Sequence, residues 1–141
     1  MKPDSAQPFQ KTILVVDDDP AILEVVSSLL AGEHYKVLTA TSGIAASALA
    51  REYQHDIDLL LSDFEMPGLS GIELATQMTV QRPKLKVLLM SGFPGGMLVL
   101  NEGWHFLPKP FIASQLLALV AGLVSPRDGS RFVGGARAAG E

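Results

Sequence analysis

Residues Thr12 to Val16 read Thr-Ile-Leu-Val-Val, five residues without apolar-polar alternation, and three aspartates follow at once. An alternating pattern would describe a strand with one wet face. An unbroken, β-branched run describes a strand buried on both faces, as in a parallel sheet covered by helices. Four more short apolar runs follow: Tyr35 to Ala40, Asp58 to Ser62, Lys86 to Met90 and His105 to Leu107. Segments of helical period lie between them. After Asp19-Pro20, an N-cap followed by a first-turn proline, Ile22, Val25, Val26, Leu29 and Leu30 recur as an inward stripe, and Gly32 suits the position just past the helix end. Ser42 to Tyr53 is Ala-rich, with Ile44, Ala48 and Leu49 on one side. Ser70 and Glu73 fit a capping box opening a helix to about Gln81. Ile112 to Val124 is amphipathic, with Leu116, Leu119, Val120 and Leu123 inward. Five buried strands alternating with helices predict an α/β fold, a parallel sheet with right-handed crossovers and both faces covered.

Composition narrows the function classes. The chain has 141 residues, 48% hydrophobic and 18% charged, with a formal net charge of −4 and no cysteine. Disulfides, thiol catalysis and zinc-thiolate sites are excluded. The acidic balance, without any cluster of Lys or Arg, argues against a nucleic-acid partner. The longest apolar run, Leu116 to Val124, is far short of the ~20 residues a spanning helix needs. With no apolar h-region behind Met1, the expectation is a cytoplasmic chain with no membrane partner. Residues 1–10 read as a flexible N-terminal arm, 11–124 as one domain, and the Gly-, Ala- and Arg-rich residues 125–141 as a flexible tail.

In open parallel sheets the ligand site lies beyond the carboxyl ends of the strands, near the switch in strand order. The residues at those ends are Asp17, Asp18 and Asp19, then Asp63, then Ser91, then Lys109. Asp19, beside Pro20, reads as a cap. Taken singly, the others are ordinary turn residues; together they bring groups suited to phosphate or a divalent metal from four strand ends. Carboxylates on so small a rim need compensation, since a pair ~4 Å apart repels by about 4 kcal/mol at an effective dielectric near 20. With oxygen ligands only, the natural cation is Mg²⁺. Lys109 adds a mobile positive charge and Ser91 a neutral donor, a set suited to phosphoryl transfer onto a carboxylate.

Four segments, Ile13 to Pro20, Leu61 to Gly71, Leu89 to Gly92 and Phe106 to Phe111, resemble in wording and order the receiver domain of two-component response regulators. The resemblance implies a flavodoxin-like doubly wound (βα)5 fold with strand order 2-1-3-4-5. It makes Asp63 the phosphoacceptor, charged by a histidine kinase or histidine phosphotransfer protein. It implies Mg²⁺ held by Asp17 (largely through water), Asp18, Asp63 and the backbone carbonyl of Glu65. Lys109 would pair with the phosphoryl group, aimed by a cis bond to Pro110, while Ser91 and Phe106 would act as the switch. Such a domain is no enzyme beyond its own phosphorylation and dephosphorylation. It signals to a downstream protein target, as a monomer or weak homodimer.

This chain departs from the family pattern in places. Ser91 stands for the commoner threonine, and Phe106 lacks the hydroxyl of the frequent tyrosine. Glu65 brings a negative charge near the expected phosphoryl position, where it could tune metal affinity or phosphoryl lifetime. Pro94 to Gly103 leaves room only for a shortened fourth helix. Two rival readings remain. A haloacid-dehalogenase-like Mg²⁺ phosphatase would use Asp17 and Asp19, but it needs an acidic motif after the lysine, where this chain has only Asp128 and Glu141 in the tail, and it leaves Asp63 unused. A pseudo-receiver interaction module would not need every charged position filled.

Overall fold

The computed structural model describes residues 10–92 and 104–124. The elements run β1 (Thr12–Val16), α1 (Pro20–Gly32), β2 (Lys36–Ala40), α2 (Gly43–Glu52), β3 (Leu59–Asp63), α3 (Gly71–Gln81), β4 (Lys86–Ser91), β5 (Trp104–Pro108) and α4 (Ala113–Val124). The strands form one parallel sheet in the order β2-β1-β3-β4-β5. All five residues of β1 are buried, as its unbroken apolar run predicts. Because side chains alternate across a strand, β1 feeds two cores. Ile13 and Val15 join Leu23, Val26, Leu30, Leu116 and Val120 beneath α1 and α4. Leu14 and Val16 join Ala46, Ala50, Leu74 and Met78 beneath α2 and α3. No helix among the described residues is long and apolar enough to cross a membrane. The expected short helix within 94–103, residues 1–9 of the expected arm 1–10 and the tail 125–141 lie outside the described residues.

Helix starts agree with the sequence signals. The Asp19 side chain caps α1 by accepting from the Ala21 N–H, and proline follows at the first helical position. Ser42 caps α2 through the Ala45 N–H. Ser70 and Glu73 close a complete capping box at α3.

The buried faces differ from the periodicity reading at several positions. In α1 the buried line is Leu23, Val26 and Leu30, while Val25 is 58% exposed. A helix lying on a flat sheet buries one narrow line, and Val25 stands about 100° around the axis from Val26. In α2 the buried line is Gly43, Ala46, Ser47 and Ala50, and Ile44 is 67% exposed. Small residues face inward there because α2 sits close to its neighbours, so the larger side chains turn out. Leu116, Val120 and Val124 form the corresponding line in α4.

The end of α1 also departs from expectation. Gly32 is the last helical residue, and His34 takes the left-handed conformation, with φ 72°. The Tyr35 N–H bonds to Leu30 O and the His34 N–H to Ala31 O, the paired closure of a Schellman motif. At the end of α3, the Arg82 guanidinium donates to the carbonyls of Ala50, Tyr53 and His55. It thereby caps the neighbouring helix α2, a partnership with no local sequence signature.

A β-carbon in the left-handed region costs about 1–2 kcal/mol, partly offset by the entropy glycine loses on folding. His34→Gly is therefore expected to raise stability by about 0.5–1 kcal/mol, read as a higher urea midpoint at unchanged slope.

Candidate functional site

The sheet order reverses at β1, whose neighbours are β2 on one side and β3 on the other. The carboxyl ends of β1 and β3 therefore open onto one crevice. Asp17, immediately after β1, is 1% exposed. Its N–H donates to Ala40 O at 3.3 Å, and its Oδ1 accepts from the Asp19 N–H at 2.8 Å. Its Oδ2 is buried and accepts no hydrogen bond; Lys109 Nζ stands 3.5 Å away. Asp63, the last residue of β3, meets the same Lys109 Nζ at 3.3 Å through Oδ1. Asp18 is exposed beside them, and one carboxylate oxygen from each of Asp17, Asp18 and Asp63 lies within 4.8 Å of the others. Residues distant in sequence thus converge on one point, as the strand-end reading anticipates.

Lys109 arrives from the far side of the sheet. Its N–H donates to Ser91 O, and the Lys109-Pro110 peptide bond is cis. Ser91 is buried as the last residue of β4, one position beyond Met90, the register partner of Asp63. Phe106 packs, partly buried, on the α2/α3 core. The Glu65 side chain is exposed, and its residue lies in the turn that follows Asp63. Beside Lys109, an apolar recess of about 590 Å³ is lined by Ile22, Val25, Val26, Pro110 and Phe111.

Three acids around one lysine leave the site short of positive charge. The Asp63 carboxyl is held above its ordinary range, first by burial, with the Asp17 and Asp18 charges adding to the rise and Lys109 opposing it. A buried carboxylate oxygen without a hydrogen bond is costly. A small, hard dication would satisfy Asp17 Oδ2 and offset the clustered charge at once. The all-oxygen donor set fits Mg²⁺.

Two glycines escaped the sequence reading as site residues. Gly71, the first residue of α3, donates its N–H to Phe64 O at 3.0 Å. A β-carbon there would collide with the backbone oxygen of Asp63 itself. Gly43, at the start of α2, lies nearly as close to the loop that follows β3, where a β-carbon would meet Leu69 O at 2.5 Å. Each is a glycine beside a helix cap, which in sequence looks like ordinary helix punctuation.

The family model for the response regulator receiver domain matches residues 13–121. The chain belongs to the response regulator receiver domain family. This receiver domain is similar to sensor kinase CckA of Brucella abortus (strain 2308), 29% identical over 121 residues, which make up 83% of this chain and 13% of that protein. The chain spans 24% of DNA-binding transcriptional regulator NtrC of Escherichia coli (strain K12) and 47% of the response regulator GtcR of Aneurinibacillus migulanus, less than half the length of these curated relatives. Among solved structures, the receiver domain of hybrid histidine kinase CckA shares the fold with a TM-score of 0.72 and 33% identity, covering 81% of this chain and 99% of that one. Response regulator protein TrrA from Thermotoga maritima, solved in complex with Mg²⁺-BeF, has a TM-score of 0.69 and 31% identity, with 81% and 99% covered.

The raised Asp63 pKa has a signed consequence for the metal-free receiver. The native state holds this proton more tightly than the unfolded chain, so ionising Asp63 costs stability as pH rises above the unfolded value of 3.8. In EDTA, Asp63→Asn is expected to unfold at a higher temperature than the parent near neutral pH. That advantage should vanish below about pH 4, where the unfolded carboxyl is also protonated. Thermal scans across pH check both statements.

Proposed function

We propose that this receiver domain accepts a phosphoryl group on Asp63 from a phosphohistidine of a histidine kinase or histidine phosphotransfer protein, in a Mg²⁺-dependent reaction. The observation carrying the proposal is the meeting of Asp63, the hydrogen-bond-deficient Asp17 carboxylate and Lys109 Nζ within 3.5 Å contacts at the sheet's switch point. In this reading an Asp63 oxygen attacks phosphorus while the P–N bond breaks. The electron pair returns to the imidazole nitrogen, which takes up a proton from solvent. Asp63 becomes an acyl phosphate, and Lys109 releases its carboxylate partner to pair with the new phosphoryl oxygens.

Asp18, Asp63 and the Glu65 backbone carbonyl would hold Mg²⁺ directly, with Asp17 acting largely through water. When bound, the ion neutralises charge on the transferring group. Lys109, within ion-pair reach of Asp17 and Asp63, would add its positive charge to the same end. Ser91 donates its hydroxyl to the phosphoryl group, and Phe106 follows inward on the α2/α3 side. With no hydroxyl on Phe106, the switch works through packing alone. Phosphorylation is then a local electrostatic event with a remote readout, passed to a downstream protein target.

Residues 11–124 carry this function, with 1–10 and 125–141 outside it. The exposed Val25 and Ile112, beside the recess next to Lys109, offer apolar contact to a phosphodonor protein that must bring its histidine to Asp63.

Phosphotransfer from a labelled histidine kinase tests the proposal. Label should enter the parent protein with Mg²⁺ and be lost with EDTA or in Asp63→Asn; label persisting in Asp63→Asn refutes the acceptor assignment. Lys109→Ala should slow uptake by about a hundredfold, the usual scale for losing one charge-stabilising group. Steady turnover of p-nitrophenyl phosphate would point instead to a phosphatase. Absence of Mg²⁺-dependent beryllofluoride shifts around Asp63 would point to an interaction module.

A further inference from the structure

Glycine is a poor choice at the first position of α2. Its φ is not in the left-handed region, where among the described glycines only Gly68 lies. With no torsional need for glycine there, the reason for Gly43 lies in its neighbours. A β-carbon built at Gly43 would stand 2.5 Å from Leu69 O and 2.8 Å from Leu69 Cβ. Both are nearer than real β-carbons come, and one is backbone. Gly32 and Gly122, also helical, have nothing within 4 Å of such a carbon. Gly71, the first residue of α3, is crowded too, against Asp63 O, so the closeness is confined to the two helix starts that border the loop after β3.

That loop carries the site. Residues 64–70 join Asp63 to α3 and include Glu65, whose carbonyl is assigned to the metal. At the other end of the loop, Gly71 lies against the Asp63 backbone oxygen and bonds Phe64 O. The loop is thus confined between two glycines, one under Asp63 and one on α2.

α2 is the firmer partner in this contact. Ser42 caps its first turn through the Ala45 N–H. Ser47 Oγ donates to Gln77 Oε1 of α3, and Arg82 holds the Ala50 and Tyr53 carbonyls at its far end. The loop is anchored at its two ends, by the Phe64 N–H on Met90 O and by the Ser70 capping box, so a displacement forced at Gly43 is taken up between them, at residues 65–69.

We propose that Gly43 is a positioning residue for the acidic site: by bringing α2 against Leu69 it sets the height of loop 64–70 over Asp63, and so the place of the Glu65 carbonyl. This inference rests on the metal-site reading of Asp63. It concerns a residue on a different helix that touches neither metal nor phosphoryl group.

The test is Mg²⁺ titration of Gly43→Ala followed by amide chemical shifts, with Gly32→Ala as the control. Gly43→Ala should keep the far-ultraviolet dichroism of the parent and shift the amides of residues 64–71. It should weaken Mg²⁺ binding about tenfold, the usual scale for displacing a support of metal ligands, with Gly32→Ala within about twofold of the parent. Should Gly43→Ala fail to fold, Leu69→Gly addresses the same contact from the loop side by removing the β-carbon that rests on α2. It should weaken Mg²⁺ at least about threefold. A folded Gly43→Ala with Mg²⁺ affinity within about twofold of the parent, or with unmoved amides at 64–71, overturns the positioning role alone. A parent protein that binds no Mg²⁺ overturns the site reading, and the positioning role with it.

Discussion

Burial of β1 on both faces is the constraint on which the remaining structure depends. A strand with no wet face needs hydrogen-bonded neighbours on each edge and helices above and below. β2 and β3 supply the edges, α1 with α4 and α2 with α3 the two covers. Such a strand can carry polar chemistry only where it leaves the core. Asp17 sits at that exit, still nearly without solvent, and Asp63 at the equivalent exit of the neighbouring strand. The sheet thus creates the place where carboxylates must either find a cation or raise their pKa.

Lys109 answers only part of that demand. It lies within ion-pair reach of both Asp17 and Asp63, yet one Asp17 oxygen accepts no hydrogen bond, and Asp63 is still pushed upward by burial and by its acidic neighbours. A site left short of positive charge is electrostatically suited to a divalent cation. The same clustered charge adds to the burial that lifts the Asp63 carboxyl above its ordinary range.

Support for the site comes from close approach as much as from charge. Gly71 lets α3 begin directly against the Asp63 backbone, and Gly43 lets α2 begin against the loop between them. The Arg82 guanidinium and the Ser47–Gln77 bond tie α2 to α3, so the helices covering one face behave as one block beside the loop.

The strand order of chemistry was legible without coordinates. Unbroken apolar runs mark buried strands, and Asp17, Asp18, Asp63, Ser91 and Lys109 stand at their ends, because periodicity and capping are local properties of a chain. The starts of α1, α2 and α3 were legible for the same reason. Which face of α1 and α2 turns inward was not: Val25 and Ile44 satisfy a helical period yet face solvent, since the space left by neighbouring elements decides the rotation. His34 rather than Gly32 takes the left-handed position because the helix continues two residues further than a glycine in that position implies. Arg82 and Gly43 act on partners about 30 residues away in the chain, as the Arg82–Ala50 separation of 32 shows, and no local pattern records such a contact. The sequence by itself determined the parallel α/β architecture and the acidic strand ends; only the tertiary structure decided how closely those ends meet, because distance between strands is set by packing and not by spacing along the chain.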